Sequence, residues 1–539
     1  MDTNAVKPPT FIFIDLFAGI GGFRLALNRL GGQCLGFSEI HNDAIGTYCT
    51  NFGEDHSLNL GDITKIKSLP HHDIMTAGVP CQSWSIAGKN LGFDDDRGQL
   101  WNDTIYLLNQ ARPQAFIFEN VKGLSDPRNA DALGYILERI RKAGYFAKHF
   151  VLNSSDYGVP QDRVRVYVVG FLNEQCLRKF HLPAPKKNTW KLIDVLQGFE
   201  NQSPKADTTQ STDLFGEPIQ DKKRYRKTSG MNDFFLFNDI RNGPTTIHSW
   251  DLISTTDRQK NICYLLLKNR RKKIYGTLDG NPLSLAHFKG LDDTVGKNEL
   301  DELVDAGILK RVDYTYKLGA TDGAILDAAE QLVLKHVPVG EVALDTLKGC
   351  RELKKARVVL EKTLAALVAK NILVCCEVRY EFKYTKISTG IEGINRVFLP
   401  KSEAFPTLVA SDTNDFIALK DIEAQTEQGY KQRFLEEIFH KKLFRKISRE
   451  EACLIQGFPK NFQLPQSRNR WMKLVGNSVS VPVIQMLGQA ILDTGCCQEE
   501  TSPMAQHANR NQPASTISGS RESQLSAIWP TVCSRSSYL

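Results

Sequence analysis

Short apolar runs alternate with segments of helical spacing between residues 11 and 171. FIFIDLF (11–17) is composed like a buried strand, GGFRLALNRL (21–30) has apolar residues at helical spacing, and QCLGFSE (33–39) is again strand-like. Four more strands are predicted, at 72–78, 115–120, 145–152 and 163–171. Apolar strands separated by helices are typical of a sheet that helices cover on both faces. The pattern therefore predicts a doubly wound, Rossmann-like α/β domain.

The pattern changes after Phe171. Residues 172–245 are polar and loop-rich, with an exposed linker predicted at 202–218. From about 257 to 390 the chain becomes helical and rich in Lys, Arg and Leu, and it contains a weak internal repeat with an offset of 64 residues (364 − 300). The matching positions are Leu300 and Leu364, Leu303 and Leu367, Val304 and Val368, Ile308 and Ile372, Leu309 and Leu373, and Tyr316 and Tyr380.

Each copy of this repeat is predicted to form a helix, a tight turn and a β-hairpin, with the hairpins at 307–318 and 371–384. A helix followed by a two-stranded wing is the shape of a winged-helix DNA-binding unit. The alternative is a small helical insertion that only packs against the rest of the protein. The sequence does not separate these two interpretations.

Regular structure returns at 446–494. Ser448 and Glu451 have the spacing of a capping box at the start of a helix, and 476–492 reads as a turn that leads into another helix. After residue 498 the composition is polar and predicts a disordered tail.

Charge and composition narrow the possible classes of protein. The 539 residues include 68 Lys and Arg against 61 Asp and Glu, and the net charge of +7 permits a polyanionic partner without requiring one. No apolar run of about 18 residues predicts a membrane span. The N-terminal apolar segment runs into a glycine turn and is interpreted as a strand, which predicts a cytoplasmic protein. The 12 cysteines show no zinc or disulfide spacing, and no metal site is predicted.

Polar residues follow the ends of the first strands. Gly19, Gly21 and Gly22 lie between a strand and a helix, where the absent side chains let backbone amides approach a ligand. Glu39 ends the next strand, and Asp62 lies in a third loop. Acids and glycines at the ends of consecutive strands predict a site for a nucleoside-containing cofactor. The spacing departs from G-x-G-x-x-G, which weakens a nicotinamide interpretation.

Cys81, in GVPCQSWS (78–85), follows a proline at the carboxyl end of a predicted strand, the edge where α/β folds build active sites. A thiolate there could act as a covalent nucleophile, whereas an isolated cysteine is more often inert and buried. Pro80 stiffens the loop, and Gln82, Ser83 and Ser85 supply hydrogen-bonding groups that a buried structural cysteine would not need. These neighbouring residues favour the interpretation of Cys81 as a nucleophile.

Further charged residues lie at two other strands. Glu119 follows an apolar run, so we expect a partly desolvated carboxyl that could donate a proton to a ring nitrogen. A helix cap or an ion-paired surface glutamate is the alternative. Arg163 and Arg165 are two positions apart, which predicts that they lie on one face of a strand and suit a phosphate or carboxylate. Cross-strand salt bridges are the alternative there.

These residues stand in motifs that follow one another as DLFAGIGGFR, SE at 38–39, GDIT, PCQSWS, ENV, QDRVR and GNSVSVP. The ordered set strongly resembles the DNA cytosine-5 methyltransferases of bacterial restriction–modification systems. The resemblance covers 11–171 and about 396–494, and the intervening 172–395 lies where the family has its variable target-recognition domain. Trp84 stands where the family commonly has phenylalanine, and the large insertion is a further departure.

The resemblance implies an enzyme that transfers a methyl group from S-adenosylmethionine to C5 of a flipped cytosine within a specific double-stranded DNA sequence. It also implies protection of host DNA from a cognate restriction endonuclease, and a chain that works as a monomer. The domains expected are a cofactor-binding and catalytic domain at 1–171, a target-recognition region at 172–410 with the insertion at about 257–390, a C-terminal return at 411–498, and the tail at 499–539.

Individual roles follow from the motifs that match. Cys81 would attack C6 of the cytosine, Glu119 would protonate or hydrogen-bond N3, Arg165 would steady the flipped base, and Arg163 would organise the pocket. The residues expected to hold the cofactor are Phe17, Gly19, Gly21, Gly22, Glu39, Asp62, Ile63, Pro80, Asn477 and Ser478. The residues expected to contact DNA are Gln82, Ser85, Lys89, Arg97 and Thr407, and candidate base readers are Arg241, His248 and Trp250.

Two other functions stay open on the sequence. The first is the same chemistry on RNA, as in the tRNA-modifying branch that resembles this family, although that branch generally lacks a long recognition region. The second is a catalytically inactive DNA-binding protein on the same scaffold, against which the intact Cys81, Glu119, Arg163 and Arg165 argue.

Overall fold

The computed structural model describes residues 9–80, 96–185, 190–199, 231–241, 243–319 and 325–497. Its strands are β1 (Phe11–Leu16), β2 (Gly32–Ser38), β3 (Ile74–Gly78), β4 (Ala115–Val121), β5 (Phe146–Asn153), β6 (Gln161–Asp162), β7 (Val164–Phe171), β8 (Phe234–Phe237), β9 (Thr246–Ile247), β10 (Leu283–Ser284), β11 (Leu309–Leu318), β12 (Val342–Ala343), β13 (Leu373–Phe382), β14 (Arg396–Phe398), β15 (Phe405–Pro406), β16 (Asp415–Ala418) and β17 (Phe444–Arg445). Its α-helices are α1 (Gly22–Asn28), α2 (Asn42–Phe52), α3 (Asp96–Ala111), α4 (Ala130–Lys142), α5 (Glu174–Lys179), α6 (Ser249–Leu252), α7 (Asp257–Asn269), α8 (Leu285–Leu291), α9 (Lys297–Asp305), α10 (Ala328–Leu334), α11 (Leu344–Gly349), α12 (Arg351–Lys355), α13 (Leu360–Ala369), α14 (Glu427–Phe434), α15 (Arg449–Gln456), α16 (Arg468–Asn477) and α17 (Val481–Leu492).

A six-stranded sheet with the order β2-β1-β3-β4-β7-β5 carries the predicted catalytic motifs. Its strands are parallel except β7, which runs antiparallel to both β4 and β5. Each of its six strands lies within two residues of a strand that the apolar runs predict. Alternate residues serve opposite faces, because Phe13 packs with α1 and α17 whereas Ile14 packs with α3 and α4. The doubly wound α/β prediction is confirmed.

The C-terminal helices close one face of this sheet. Ser448 and Glu451 form the predicted capping box, in which the Ser448 hydroxyl accepts from the Glu451 amide and the carboxylate accepts from the Ser448 amide. The stretch Arg468–Leu492 is long and apolar enough to cross a membrane, yet 72% of its most apolar window is buried inside the protein. Burial of this kind is the behaviour of a core helix, because these side chains cover the sheet.

A second, five-stranded sheet has the order β17-β16-β14-β8-β9. Its strands come from both sides of the insertion, and Phe235 of β8 stacks on Phe434 of α14 with 3.9 Å between ring centroids. The two-residue strands β6 and β15 pair in parallel and join this region to the end of the catalytic sheet.

The insertion has its own four-stranded sheet, with the order β10-β13-β11-β12. The predicted hairpin within each copy is wrong, since 309–318 and 373–382 are each one continuous strand. These two strands pair antiparallel with each other, so that Leu309 faces Phe382 and Leu318 faces Leu373. Neither segment contains a glycine, asparagine or proline that would favour a turn, and each strand therefore takes its partner from the other copy.

Candidate active site

The glycine loop after β1 combines strained backbone with open space. Phe17 and Gly19 have positive φ angles of 51° and 55°, and Gly21 has a φ of 87°. A Cβ atom on Gly21 would overlap the ring of Phe52, whereas one on Gly19 would meet nothing within 4 Å. Gly21 is therefore needed for packing as well as for its backbone angle. Gly19 keeps backbone accessible beside an open region, as a loop that receives a ligand requires.

The C-terminal return reaches the same loop through Gly22. A Cβ atom there would lie 2.7 Å from Cγ2 of Val479 and 2.9 Å from Oγ of Ser478. Ser478 is buried and Asn477 next to it is exposed. The motif GNSVSVP therefore contacts the glycine loop, although more than 450 residues separate the two in the chain. From the sequence, this contact was expected only because of the family resemblance.

Glu39 ends β2 and is tied to the glycine loop. Its Oε2 accepts from the Gly19 amide at 2.9 Å, while Oε1 accepts from the amides of Ile40 and His41 at 2.8 Å. A carboxylate held by three backbone donors has a fixed orientation, and its remaining lone pairs can accept from a ligand.

Asp62 lies at a third loop and caps the short turn Ile63–Lys65. Its Oδ1 accepts from the amide and hydroxyl of Thr64 at 3.1 and 2.9 Å. The hydrogen bonds from Thr64 lower the pKa of the Asp62 carboxyl, which keeps it ionised at neutral pH. Ile63 is buried beneath it. The acids predicted at the first strand ends therefore hold acceptor oxygens at one edge of the sheet.

Glu119 and Arg165 meet at the carboxyl end of β4. Nε of Arg165 lies 3.1 Å from Oε1 of Glu119, and the two side chains are 13% and 12% exposed. The carboxyl is therefore mostly removed from water, as expected, but it faces a cation. The pair joins the neighbouring strands β4 and β7, so Arg165 forms the cross-strand salt bridge that is the alternative for the arginines, and Glu119 is not a surface residue.

Arg163 does not converge with Arg165 on one ligand, contrary to the expectation from their spacing. Arg163 precedes β7, and its guanidinium donates to the backbone carbonyls of Leu408, Gly476 and Ser478 at 2.6–3.2 Å. It is buried, and it joins the catalytic sheet to the C-terminal return. The reason for the difference is that the regular two-residue period starts only at Val164, where the strand begins.

The segment leading to Cys81 is held next to β4. Nδ2 of Asn120 donates to the carbonyl of Val79 at 3.2 Å, so Pro80 lies close to the strand that carries Glu119. Cys81, Gln82, Ser85 and Lys89 lie outside the described residues, as does the side chain of Arg97, whose backbone belongs to α3. Thr407 follows β15, and its hydroxyl donates to the Asp162 carbonyl at 2.6 Å.

Two buried polar residues in this region were not assigned a role from the sequence. Gln161 donates to the carbonyl of Ile455 and to Oε1 of Gln456, and it accepts from the amide of Leu408. Asp15, inside β1, is fully buried, and burial raises its pKa to about 7. The available signal was that both are polar residues within motifs that otherwise read as apolar or basic.

Two of the three candidate base readers are core residues. His248 and Trp250 are buried and stack with 4.1 Å between their ring centroids, and Trp250 belongs to the apolar core of the insertion. Their prediction as base readers is therefore wrong. Arg241 does line a cavity of about 420 Å³ beside the five-stranded sheet, together with Arg396. Within the described ranges, no group of three His, Cys, Asp or Glu could hold a metal ion.

Comparison with known families shows the class of this protein, which is that of the cytosine C5 methyltransferases of DNA. The sequence profile of the family described as C-5 cytosine-specific DNA methylase matches residues 11–334 and 346–493, and the chain belongs to this family.

Several type II methyltransferases match over nearly their whole length. The chain is 39% identical to the type II methyltransferase M.HgiBI of Herpetosiphon aurantiacus, over 89% of this chain and 96% of that protein. It is 28% identical to the type II methyltransferase M.NlaIV of Neisseria lactamica, over 89% of this chain and 99% of that protein. Among solved structures, the methyltransferase EhMeth of Entamoeba histolytica aligns with 90% of this chain and 99% of its own, at 14% identity and a TM-score of 0.44.

Proposed function

We propose that this methyltransferase takes its methyl group from S-adenosylmethionine and modifies cytosine within one short sequence of double-stranded DNA. The observation that carries the proposal is the junction of two strand ends, where Asn120 holds the segment before Cys81 beside the Glu119–Arg165 ion pair. Relatives named type II methyltransferases further support a role in protecting DNA from a cognate restriction endonuclease. We propose that the chain does this as a monomer in the cytoplasm.

The loops at the ends of β1, β2 and the following turn suit the proposed methyl donor. The open space at Gly19 lies beside Glu39, whose oxygens can accept from ribose hydroxyls, and Asp62 can accept from an exocyclic amine. Phe17, Ile63 and Pro80 would supply apolar contacts, with Asn477 and Ser478 joining from the C-terminal return. When bound, S-adenosylmethionine supplies a methyl group on an electrophilic sulfonium.

The chain's own residues would make cytosine reactive. The Cys81 thiolate adds to C6, which forms an S–C6 bond and breaks the C5=C6 π bond, while the Glu119 carboxyl donates a proton or a hydrogen bond to N3 and stabilises the electron density that the addition pushes into the ring. C5 thereby becomes nucleophilic and accepts the methyl group. Solvent water then takes the C5 proton, and the electron pair of the C5–H bond forms the C5=C6 double bond as the S–C6 bond breaks, which restores the thiolate and releases 5-methylcytosine.

Arg165 would keep the Glu119 carboxyl directed at the base. A cation at 3.1 Å fixes the orientation of a carboxyl that is otherwise free to rotate about its terminal bond. The base must leave the duplex to reach this site, which costs a few kcal/mol of stacking. Gln82, Ser85, Lys89, Arg97 and Thr407 would contact the DNA around the flipped nucleotide.

The proposal is tested by transfer of labelled methyl groups from S-adenosylmethionine to unmethylated genomic DNA and to total tRNA, with base-resolution mapping of the product. We expect 5-methylcytosine at one short DNA motif and none in the RNA. Cys81→Ser should abolish turnover and still bind DNA, whereas Cys376→Ser, at an exposed cysteine of the insertion, should not change it. Methylation of RNA alone, or substantial turnover in Cys81→Ser, would refute the proposal.

A further inference from the structure

The insertion contains two copies of one structural unit. The helix α9 and the strand β11 recur as α13 and β13, and both ends of the strand differ by 64 positions (373 − 309 and 382 − 318). The antiparallel pairing of β11 with β13 relates the copies by a local two-fold arrangement. The repeated apolar positions are buried in both copies, at Leu300 and Leu364, Leu303 and Leu367, Ile308 and Ile372, and Tyr316 and Tyr380.

Each copy presents a helix, a short turn and a second helix, which is the arrangement of a helix-turn-helix motif. In the first copy these elements are α8, residues 292–296 and α9, and in the second they are α12, residues 356–359 and α13. The pair β10–α8 recurs as β12–α11 with an offset of 59 (342 − 283), so the second copy contains α12 as an additional helix before α13. The offset of 64 applies from the turn before α9 and the turn before α13 onwards, and the surfaces can be compared position by position there.

The first motif is acidic and its charges are used internally. Arg258 of α7 lies 2.7 Å from Asp292 in the turn and 2.8 Å from Glu299 of α9, and Arg311 lies 2.9 Å from Asp301. Glu302 and Asp305 add to the acidic face of α9. Such a surface repels a polyanion, and its ion pairs tie the helices of the first copy together.

The second motif lacks these acids, and one of them is replaced by a cation. The acidic positions of the first copy at 292, 293, 299, 301, 302 and 305 correspond to Ala356, Arg357, Thr363, Ala365, Ala366 and Ala369. Lys354 and Lys355 lie on α12, the helix that the second copy has in addition. The buried positions are thus unchanged in character while the surface has reversed its charge, so packing does not account for the difference.

These cations are accessible to a partner. Lys354, Lys355, Arg357 and Lys362 are exposed, and none of them forms an ion pair with another residue that the structure describes. Arg357 and Lys362 line a groove of about 530 Å³ between α10 and α13. Glu361, the one acid on the exposed face of α13, lies 3.2 Å from Lys348. Asp327 and Glu330 also line this groove, and Glu330 is paired with Lys370. The cluster of Lys354, Lys355 and Arg357 lies on an exposed surface with the small side chain of Ala356 among them, so a phosphate backbone can approach it closely.

We propose that the second helix-turn-helix motif, residues 351–369, binds the phosphate backbone of duplex DNA outside the methylated base. The exposed face of α13 offers Lys362 and alanines and few groups that could read base edges, so the contact is independent of sequence. The proposal rests on the DNA substrate of the family, and it adds a second point of attachment through an element that is not needed for methyl transfer chemistry.

The test is the affinity of the full chain for a duplex of about 40 base pairs that lacks the methylation target, measured by fluorescence anisotropy over a range of salt concentrations without methyl donor. For the triple variant K354A/K355A/R357A we expect binding weakened by about tenfold or more, and a slope of log K against log salt reduced by about 2 to 3, because each phosphate contact contributes about 0.9. K354R/K355R keeps the charges and should keep the affinity.

The matched control is R139A/R141A/K142A, which removes three exposed cations from the end of α4, at the sheet edge opposite Glu119. An equal loss in both triple variants would show a net-charge effect only and would overturn the proposal. Unchanged binding in K354A/K355A/R357A would also overturn it, as would a loss seen only with DNA that contains the target. Because the assay measures binding without turnover, its outcome is independent of whether the proposed methyl transfer is found.

Discussion

Replacement of Arg163 by alanine should loosen the joint between the catalytic sheet and the C-terminal return. The guanidinium is buried and donates to three backbone carbonyls, at Leu408, Gly476 and Ser478. The Ser478 carbonyl also accepts from Nε2 of Gln456 at 2.8 Å, so it keeps one partner in the variant. The carbonyls of Leu408 and Gly476 lose the donors that Arg163 provides.

The magnitude follows from these two carbonyls. A buried acceptor left without a donor costs about 1–3 kcal/mol, so Arg163→Ala should destabilise the protein by roughly 2–6 kcal/mol. Arg163→Lys keeps the charge and can satisfy one carbonyl at a time, so we expect a smaller loss. Because the same arginine holds the segment that contains Ser478 against Gly22, the KM for the methyl donor should rise more than kcat falls.

Urea unfolding followed by circular dichroism measures the first effect, and methyl transfer at varied donor concentration measures the second. Arg139→Ala, which removes an exposed arginine from α4, is the control and should leave both unchanged. Unfolding of Arg163→Ala at the wild-type urea concentration, with an unchanged KM for the donor, would show that Arg163 does not hold the C-terminal return against the sheet.

Three further substitutions test other parts of the structure. Gly22→Ala should raise the KM for the donor by about tenfold, because its Cβ would overlap the C-terminal return, whereas Gly46→Ala meets nothing within 4 Å in α2 and should be neutral in the same kinetics. The native form of Asp15 holds a proton up to about pH 7 but the unfolded form only to about 4, so its contribution to stability falls as pH rises between these values. Asp15→Asn should therefore gain stability over the wild type at pH 8, by up to about 4 kcal/mol, and the difference in thermal unfolding should vanish towards pH 4. Glu451→Ala removes a buried carboxylate that pairs with the partly exposed Arg445 and accepts from the amides of Gln197 and Ser448, so it should cost about 2–4 kcal/mol in urea unfolding, and a cost below about 1 kcal/mol would contradict this role.

The six-stranded sheet could be predicted from local sequence because its signals are local. Strands such as FIFIDL and AFIFENV begin with apolar runs of four residues and are separated by helical periods, which few folds other than a covered parallel sheet produce. The capping box at Ser448 is likewise a four-residue signal. The antiparallel strand β7 lies between β4 and β5 because of pairing between residues far apart in the chain, and no residue pattern within β7 predicts that position.

The site was predictable in its acids and less so in its arginines. Glu39 and Glu119 lie near the ends of strands, as was predicted because each follows an apolar run. Arg163 and Arg165 are two residues apart and were expected to act together, yet one holds backbone carbonyls from the C-terminal return and the other pairs with Glu119. The difference depends on the residue at which β7 begins, and the periodicity of the sequence does not locate the start of a strand to within one residue.

The insertion shows why a repeat in the sequence does not by itself define a function. The offset of 64 is carried by leucines, isoleucines and tyrosines whose burial keeps both copies folded, and the same positions would recur in an inert packing element. The copies differ in the exposed residues that lie between these buried positions, because a surface residue can change its charge without a cost in packing. In the first copy Arg258 pairs with Asp292 of the turn and Glu299 of α9. In the second copy Arg357 stands in the equivalent turn, next to Lys354 and Lys355 of the additional helix α12. Two units of one fold thus have opposite electrostatic character, and a polyanionic substrate can be attracted by only one of them.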